Sequence, residues 1–282
     1  MLALVGAATG VVLLVLTWFA AFRIGIVGRA DASVMRGFLG LRRPIIDRIA
    51  NAIANVCDPK PYVCLGAVVV VAALIRRRGR VAIAAAGIMT AACLTTQILK
   101  PLLGQTHPVV VYVDGSPQFF VGSWPSGHAT AAMSLALCSV LAAPARWRPF
   151  VAAAGAAFAV AVSFSFLTLA WHYPSDVLGG FLVAATWTML GVAAVWTADA
   201  RRPRPAPGTA AATRLTVRQA LGPPAAVVLG AVALIGLVAL ARPHSVLTYA
   251  RDHTAFVVGA AAIGALGLAL ATGLMLVTTR RR

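Results

Sequence analysis

Residues 124–143 read WPSGHATAAMSLALCSVLAA, a short polar cluster followed by a long apolar run. Pro125 is suited to the first turn of a helix. An apolar run of this length is typical of a helix that crosses a membrane. The sequence therefore predicts a membrane-spanning helix over residues 127–144, with the titratable ring of His128 at its N-terminus.

Similar apolar runs recur along the whole chain. Of its 282 residues, 60% are hydrophobic and only 11% are charged, which is far from the balance of a soluble protein. The runs long enough to be candidate spans lie at 2–22, 62–75, 81–99, 127–144, 149–170, 177–198, 224–241 and 254–278. They predict an all-α fold, a polytopic transmembrane helical bundle that lies in the cell membrane and is surrounded by lipid bilayer.

The positive charge of the chain follows the order of these spans. The formal net charge is +17, from 24 basic and 7 acidic residues. Basic clusters alternate with base-poor connections, and they are RRRGR at 76–80, Arg146 with Arg148, RRPRP at 201–205 and RRR at 280–282. This positive-inside pattern predicts that the clusters and both chain ends are cytoplasmic. It argues against nucleic acid as the partner of the basic residues.

Residues 23–61 depart from this pattern, because they should lie outside the cell and yet carry six arginines. The stretch VMRGFLGLRRPIIDRIANAIANV, 34–56, mixes apolar and basic positions. Such a mixture fits an amphipathic helix lying in the membrane interface. The alternative is that the first span has the opposite orientation.

Most of the chemically useful polar residues lie in two connections, 100–128 and 171–176. The alternating topology puts both connections on the face of the membrane opposite RRRGR. Together they contain three of the five histidines and one of the two lysines, with an aspartate near the end of the second connection: His107, His128, His172, Lys100 and Asp176.

The spacing of these residues suits anion binding and nucleophilic catalysis. A carboxylate four residues after an imidazole can fix its tautomer, so Asp176 would leave one nitrogen of His172 as a nucleophile. The start of the fourth span is a natural anion site, and His128 there could give a proton to a leaving oxygen. Each residue also has a structural alternative: a snorkelling lysine, an interfacial histidine or a helix-capping aspartate.

Taken together, Lys100, the run PSGH at 125–128, and His172 followed by Asp176 resemble the motifs of the type 2 phosphatidic acid phosphatase (PAP2) superfamily. That pattern has lysine, six residues and arginine-proline; then PSGH; then serine-arginine, five residues, histidine, three residues and aspartate. The resemblance covers residues 1–200, as a PAP2-like six-span catalytic core.

The resemblance implies roles for individual residues. The implied phosphate contacts are Lys100, Ser126 and the backbone of Gly127. The implied catalytic residues are His172 as the nucleophile that becomes a phosphohistidine, His128 as the general acid and Asp176 as the partner that orients His172. This chemistry needs no metal and no cofactor.

Two positions depart from the superfamily pattern. His107 stands where the first motif has arginine, and Phe166 stands where the third motif has arginine. Each arginine would clamp phosphoryl oxygens. A protonated His107 could supply part of the missing charge as a substrate-binding residue. Alternatively, arginines of segment 23–61, Arg242 or Arg251 could fold over the entrance of the site. Otherwise the substrate carries less charge, or the reaction is a transfer.

The function that the resemblance implies is a metal-independent lipid phosphatase with an extracytoplasmic active site and a membrane lipid phosphate or pyrophosphate as substrate. The alternatives are a lipid phosphotransferase or head-group transferase of the same fold, and a catalytically degenerate lipid-binding homologue. The arginine- and alanine-rich composition is typical of a GC-rich bacterial genome.

Two further parts follow the core. Residues 201–223 are predicted to be a basic, Pro- and Ala-rich cytoplasmic linker that touches anionic lipid. Residues 224–282 are predicted to form two additional transmembrane helices and a basic tail. Their Gly- and Ala-rich sequence permits close helix packing, either as an extension of the bundle or as the face of a homodimer.

Overall fold

The computed structural model describes residues 1–113, 115–118, 122–201 and 216–279, and it confirms the all-α bundle. Its helices are α1 Leu2–Arg23, α2 Gly25–Leu39, α3 Pro44–Ala54, α4 Pro59–Ile75, α5 Gly79–Leu103, α6 Gly127–Ala142, α7 Arg148–Thr168, α8 Pro174–Ala200, α9 Val217–Ala241, α10 Pro243–Asp252 and α11 Thr254–Thr279. A small antiparallel hairpin, β1 Val111–Val113 and β2 Ser116–Gln118, lies between α5 and α6.

Among the described residues, six helices are long and apolar enough to cross a membrane, namely α1, α5, α7, α8, α9 and α11. The predicted span 62–75 belongs to a pair of helical segments, Pro44–Cys57 and Pro59–Ile75, that is bent by 55°. The predicted span 127–144 is α6, whose 16 residues reach only ~24 Å at 1.5 Å per residue. Most of α6 is buried by protein, so its neighbours rather than lipid surround it.

The centre of the bundle is α6. It packs against α5, α7 and α8, while α4 covers α5 and α6, α1 lies along α8, and α11 lies along α7. Met133, Leu137 and Cys138 of α6 are at most 1% exposed, and Phe181 of α8 is fully buried with them. Alanine-rich faces on these helices allow the close approach.

The start of α8 is fixed directly to the start of α6. The Ser126 N–H donates to the carbonyl of Asp176 at 2.9 Å, and the Thr130 hydroxyl donates to the carbonyl of Gly180 at 3.2 Å. A Cβ atom at Gly180 would lie 2.7 Å from the Ser126 carbonyl oxygen and 2.9 Å from the Ala129 Cβ. The PSGH segment and the HYPSD segment are therefore in backbone contact.

Segment 23–61, which was predicted to be an amphipathic helix in the interface, is partly buried in the bundle. It forms α2 and α3, and one face of α2 is buried in the bundle, with Met35 fully buried and Phe38 at 2% exposure. The reason is that the C-terminal helices cover α2: Phe256 of α11 packs edge-on against Phe38 at 4.9 Å, and the Tyr249 hydroxyl donates to the Gly37 carbonyl. Helices α10 and α11 thus brace α2.

The remaining predictions on the C-terminal part are only partly covered. Most of the linker, 202–215, and the tail 280–282 lie outside the described residues. Helix α9 begins at Val217, earlier than the predicted 224, and continues through two prolines. Only 6% of its most apolar stretch is buried. Its outward face therefore suits lipid contact or the homodimer contact predicted from sequence.

Gly180→Ala should lower the unfolding temperature in detergent, because the new methyl group would meet the Ser126 carbonyl and must displace backbone. Overpacking of this kind costs ~1–3 kcal/mol. The matched control is Gly87→Ala in α5, where a Cβ meets nothing within 4 Å and a small stabilisation is expected. Equal unfolding temperatures for the two variants would contradict the close contact.

Candidate active site

All the sequence-predicted site residues lie at one end of the bundle. This end collects the C-terminus of α5 and the N-termini of α4, α6 and α8. The opposite end carries the arginines of the RRRGR turn, where Arg78 donates to the Leu141 carbonyl at 2.7 Å and Arg80 pairs with Asp199 at 2.5 Å. The site and the basic turn are thus separated by the length of the helices.

His172 and Asp176 form a pair at the start of α8. The Nδ1 atom of His172 lies 3.2 Å from Asp176 Oδ2, and the same oxygen accepts the Tyr173 N–H at 2.9 Å. Asp176 is fully buried and His172 is 7% exposed. The carboxylate therefore both caps the helix and holds the ring, which leaves His172 Nε2 for other chemistry.

His107 reaches the other oxygen of the same carboxylate. Its Nε2 lies 3.1 Å from Asp176 Oδ1, and its ring stacks on Tyr173 with centroids 3.9 Å apart. Its Nδ1 faces Asp31 Oδ2 of α2 at 3.9 Å. Both ring nitrogens thus face carboxylates in a site where His107 is only 5% exposed. The phosphate contact predicted for His107 remains a prediction.

Asp31 is anchored to the start of α8 by Ser175. Its Oδ1 accepts the Ser175 N–H at 2.9 Å, and its Oδ2 accepts the Ser175 hydroxyl at 2.6 Å. Burial raises the pKa of the Asp31 carboxyl to about 6, although the Ser175 hydrogen bonds and the nearby His107 oppose that rise.

Lys100, Gly127 and His128 line a cavity of about 630 Å³ between α4, α5 and α6. A Cβ atom at Gly127 would stand 3.8 Å from Lys100 Nζ, so the ammonium group faces the first turn of α6. His128 Nε2 lies 3.1 Å from Oδ1 of Asp58, the residue that precedes α4. A cation, a helix N-terminus and an imidazole therefore meet at this end of the cavity, as an anion site requires.

Ser126 takes a different position from its neighbours. It is fully buried and is the N-cap of α6, where its hydroxyl accepts the Ala129 N–H at 3.3 Å. The hydroxyl is engaged in the helix cap, and the phosphate contact expected of it from sequence remains a prediction.

Phe166, at the position where the third motif has arginine, is fully buried between the two central histidines. Its ring meets the His172 ring edge-on with centroids 5.3 Å apart, and its centroid is 6.1 Å from that of His128. The structure thus brings His128 and His172 to the same aromatic side chain. An apolar ring occupies the space beside them.

The sequence analysis missed Asp31 and Asp58. Both are among only seven acids in the chain, and Asp58 stands immediately before a proline that begins a helix. Those two signals were available, but nothing in the sequence names the partner of either acid. The arginines suggested as substitutes are partly engaged elsewhere, since Arg36 donates to Ser33 and Arg42 pairs with Asp47.

Within the described ranges, no group of three or more His, Cys, Asp or Glu side chains is arranged to hold a metal ion.

Comparison with known proteins agrees with this geometry. The PAP2 superfamily sequence model matches residues 80–200. The crystal structure described as the first transmembrane PAP2 type phosphatidylglycerolphosphate phosphatase from Bacillus subtilis is similar, with a TM-score of 0.55 and 19% identity over 71% of this chain and 99% of that one. A search of curated proteins found no match. The resemblance to the PAP2 superfamily is thus confirmed for residues 80–200, within a chain that has a transmembrane PAP2-type fold.

Proposed function

We propose that the chain is a membrane phosphohydrolase that removes phosphate from a lipid phosphate or pyrophosphate through a phosphohistidine on His172. The superfamily match and the transmembrane fold support a phosphatase at the family level. The observation that carries the finer proposal is the pairing of His172 Nδ1 with Asp176 at 3.2 Å. That pairing leaves the lone pair of Nε2 as the nucleophile.

The proposed reaction has two steps. In the first, His172 Nε2 attacks phosphorus, the bond from phosphorus to the lipid oxygen breaks, and His128 gives its proton to that oxygen. In the second, water attacks the phosphohistidine, the phosphorus–nitrogen bond breaks, and the water proton goes to His128. The products are the dephosphorylated lipid and free phosphate. The enzyme returns to its starting protonation state.

Asp58 supports the acid role of His128. Its carboxylate lies 3.1 Å from His128 Nε2, within hydrogen-bond distance, and so fixes the orientation of the ring. Asp58 is also more exposed than His128, with 44% and 25% of the side chains accessible. It can therefore keep its own charge in contact with water while it holds the imidazole.

The phosphate site that we propose lies between Lys100 and the first turn of α6. Lysine supplies a point charge, and the free N–H groups at the start of a helix supply partial positive charge. Gly127 places no side chain between this backbone and the ammonium group, and a Cβ atom there would be in van der Waals contact with Lys100 Nζ at 3.8 Å. An anion placed there would also lie within reach of His128, which lines the same cavity.

The cavity supports a lipid as the substrate. It extends from Lys100 and His128 along α4 and α5 to Val70 and Ala86, and most of its surface is apolar. A hydrocarbon chain would be stabilised by moving from water to such a surface, whereas a small polar ester has no apolar chain to bury there. We propose that the lipid tail lies between α4 and α5 while its phosphate reaches Lys100.

The proposed face of the membrane is extracytoplasmic. The site lies at the end of the bundle opposite the RRRGR turn, 76–80, and clusters of arginine in short connections favour the cytoplasm. A multi-pass protein of the cell membrane with this orientation would act on lipid in the outer leaflet.

Transfer to an acceptor lipid is the second candidate function, and two observations favour it. Phe166 occupies a motif-arginine position beside both histidines, and His107 faces Asp176 and Asp31. With fewer cations, the site is better matched to a phosphodiester, which carries one negative charge, than to a phosphomonoester. The His172 intermediate would be shared, and the acceptor would replace water.

His172→Ala should reduce phosphate release from lipid phosphates by at least ~10³-fold, because the nucleophile is lost. The matched control is His244→Ala, which removes an exposed histidine of α10 and should leave turnover unchanged. Phosphate release is measured in detergent micelles over a panel of polyprenyl phosphates, phosphatidate-type lipids and phosphorylated glycolipids. Unchanged turnover in His172→Ala would remove the phosphohistidine mechanism. A wild-type protein that releases no phosphate from any lipid of the panel would instead favour the degenerate lipid-binding homologue.

Ala67→Trp should raise KM for long-chain lipid phosphates by ~10-fold, which corresponds to ~1.4 kcal/mol of lost tail binding. The reason is that Ala67 lines the cavity and an indole there would fill it. KM for a short, water-soluble phosphate ester should change little. Ala72→Trp, at an exposed position of the same helix outside the cavity, is the control. Equal effects on long and short substrates would contradict the tail site.

Adding acceptor lipids separates hydrolysis from transfer. Hydrolysis predicts free phosphate whose rate does not depend on an alcohol-bearing acceptor lipid. Phe166→Arg, with Phe166→Leu as control, should then strengthen inhibition by inorganic phosphate, because a guanidinium beside the histidines would bind it. Release of product only when acceptor is present would instead establish obligate transfer.

A further inference from the structure

We propose that His107 and Asp31 are positioning residues that hold the His172–Asp176 pair, so that four side chains act as one unit. We call Asp31, His107, Asp176 and His172 the carboxylate–imidazole chain. This inference rests on the proposed function of His172. It assigns His107 to a different task from the phosphate-binding arginine of the superfamily's first motif.

The two oxygens of Asp176 are divided between two imidazoles. Oδ2 lies 3.2 Å from His172 Nδ1, and Oδ1 lies 3.1 Å from His107 Nε2. A fully buried carboxylate is costly unless it is paired and hydrogen-bonded. His107 Nε2 is the hydrogen-bond partner of Oδ1, the Asp176 oxygen that His172 does not contact, so the carboxylate is held from both sides.

The far side of His107 is held as well. Its Nδ1 faces Asp31 Oδ2 at 3.9 Å, and Asp31 is fixed by two hydrogen bonds from Ser175. The titratable groups that face His107 are thus Asp31 from α2 and Asp176 with Tyr173 from the start of α8. Each ring nitrogen of His107 thus has a carboxylate oxygen in front of it, which fixes the orientation of the ring.

Aromatic packing prevents the ring from turning toward the cavity. His107 stacks on Tyr173 at 3.9 Å with an interplanar angle of 17°, and Phe22 of α1 packs on it with centroids 4.7 Å apart. The Tyr173 hydroxyl in turn donates to the Val109 carbonyl at 2.6 Å. His107 is therefore built into the structure behind the nucleophile, where it can act on substrate only through Asp176.

Helix α2 brings Asp31 to this position, and the C-terminal helices hold α2 in place. Phe256 packs on Phe38, and the Tyr249 hydroxyl donates to the Gly37 carbonyl. The carboxylate–imidazole chain thus joins three parts of the sequence: the amphipathic segment, the loop after α5 and the start of α8.

The test is a comparison of kcat and KM for His107 variants with the best lipid phosphate found for the full-length protein. Loss of a partner that orients a reactive group typically costs ~10–100-fold, so His107→Ala should lower kcat by ~10–100-fold with KM changed less than ~2-fold. His107→Gln, whose amide can still donate to Asp176 Oδ1, should recover at least ~3-fold of that loss. Asp31→Asn should also lower kcat, and Asp47→Asn, which removes an acid paired with Arg42, should not.

Combined variants give a second measurement. Because the four side chains act as one unit, Asp31→Asn should cost less in the His107→Ala background than alone. His107→Gln can be tested even if His107→Ala does not fold, because glutamine keeps a similar size and a hydrogen-bond donor. The proposal would be overturned if the His107 variants had the kcat of the wild type and the effects in the double variants were additive. A rise in KM with unchanged kcat would overturn it too, and would make His107 the phosphate-binding residue that the motif predicts. If His172→Ala is inactive and the His107 variants are not impaired, only this inference fails; if His172→Ala is active, the proposed function fails first.

Discussion

The Ser126 N–H donates to the Asp176 carbonyl, and the rest of the candidate site depends on that contact. It joins the start of α6 to the start of α8, two segments that lie about fifty residues apart in sequence. Gly180 permits the contact, because any side chain there would meet the Ser126 carbonyl. Once these two helix starts are fixed, His128 and His172 are both directed to Phe166, and the cavity end with Lys100 is set beside them.

Burial then determines which charges the site can hold. In an apolar bundle a lone carboxylate is costly, and three described acids at this end have partners: Asp176 has two histidines, Asp31 has Ser175 and Asp58 has His128. The described part of the site correspondingly contains few positively charged side chains. An apolar ring replaces one motif arginine, and the histidine that replaces the other faces acids. This charge balance suits a phosphoryl group with few negative charges, or a reaction that relies on the nucleophile more than on clamping cations.

The apolar runs and motif spacing were sufficient to predict the long apolar helices and the meeting of His172 with Asp176, because both follow from local patterns. The partners of Asp31, Asp58 and His107 could not be predicted, since they depend on how distant helices pack. Segment 23–61 illustrates the limit: its mixed composition indicated an interfacial helix, but the C-terminal helices that bury α2 are more than two hundred residues away. The three-residue strands also could not be predicted from sequence, because an alternating apolar–polar pattern cannot be recognised over so few residues.

The most direct measurement is the location of the phosphoryl group on the enzyme. Protein mixed with lipid phosphate, quenched in base within milliseconds and digested, is analysed by tandem mass spectrometry for phosphohistidine. The account predicts phosphate on His172 in the wild type and none in His172→Ala. In His128→Ala, the phosphate occupancy of His172 should be higher if hydrolysis of the phosphohistidine slows more than its formation. Phosphate on His128 or His107, or a turning-over enzyme that carries none, would contradict it.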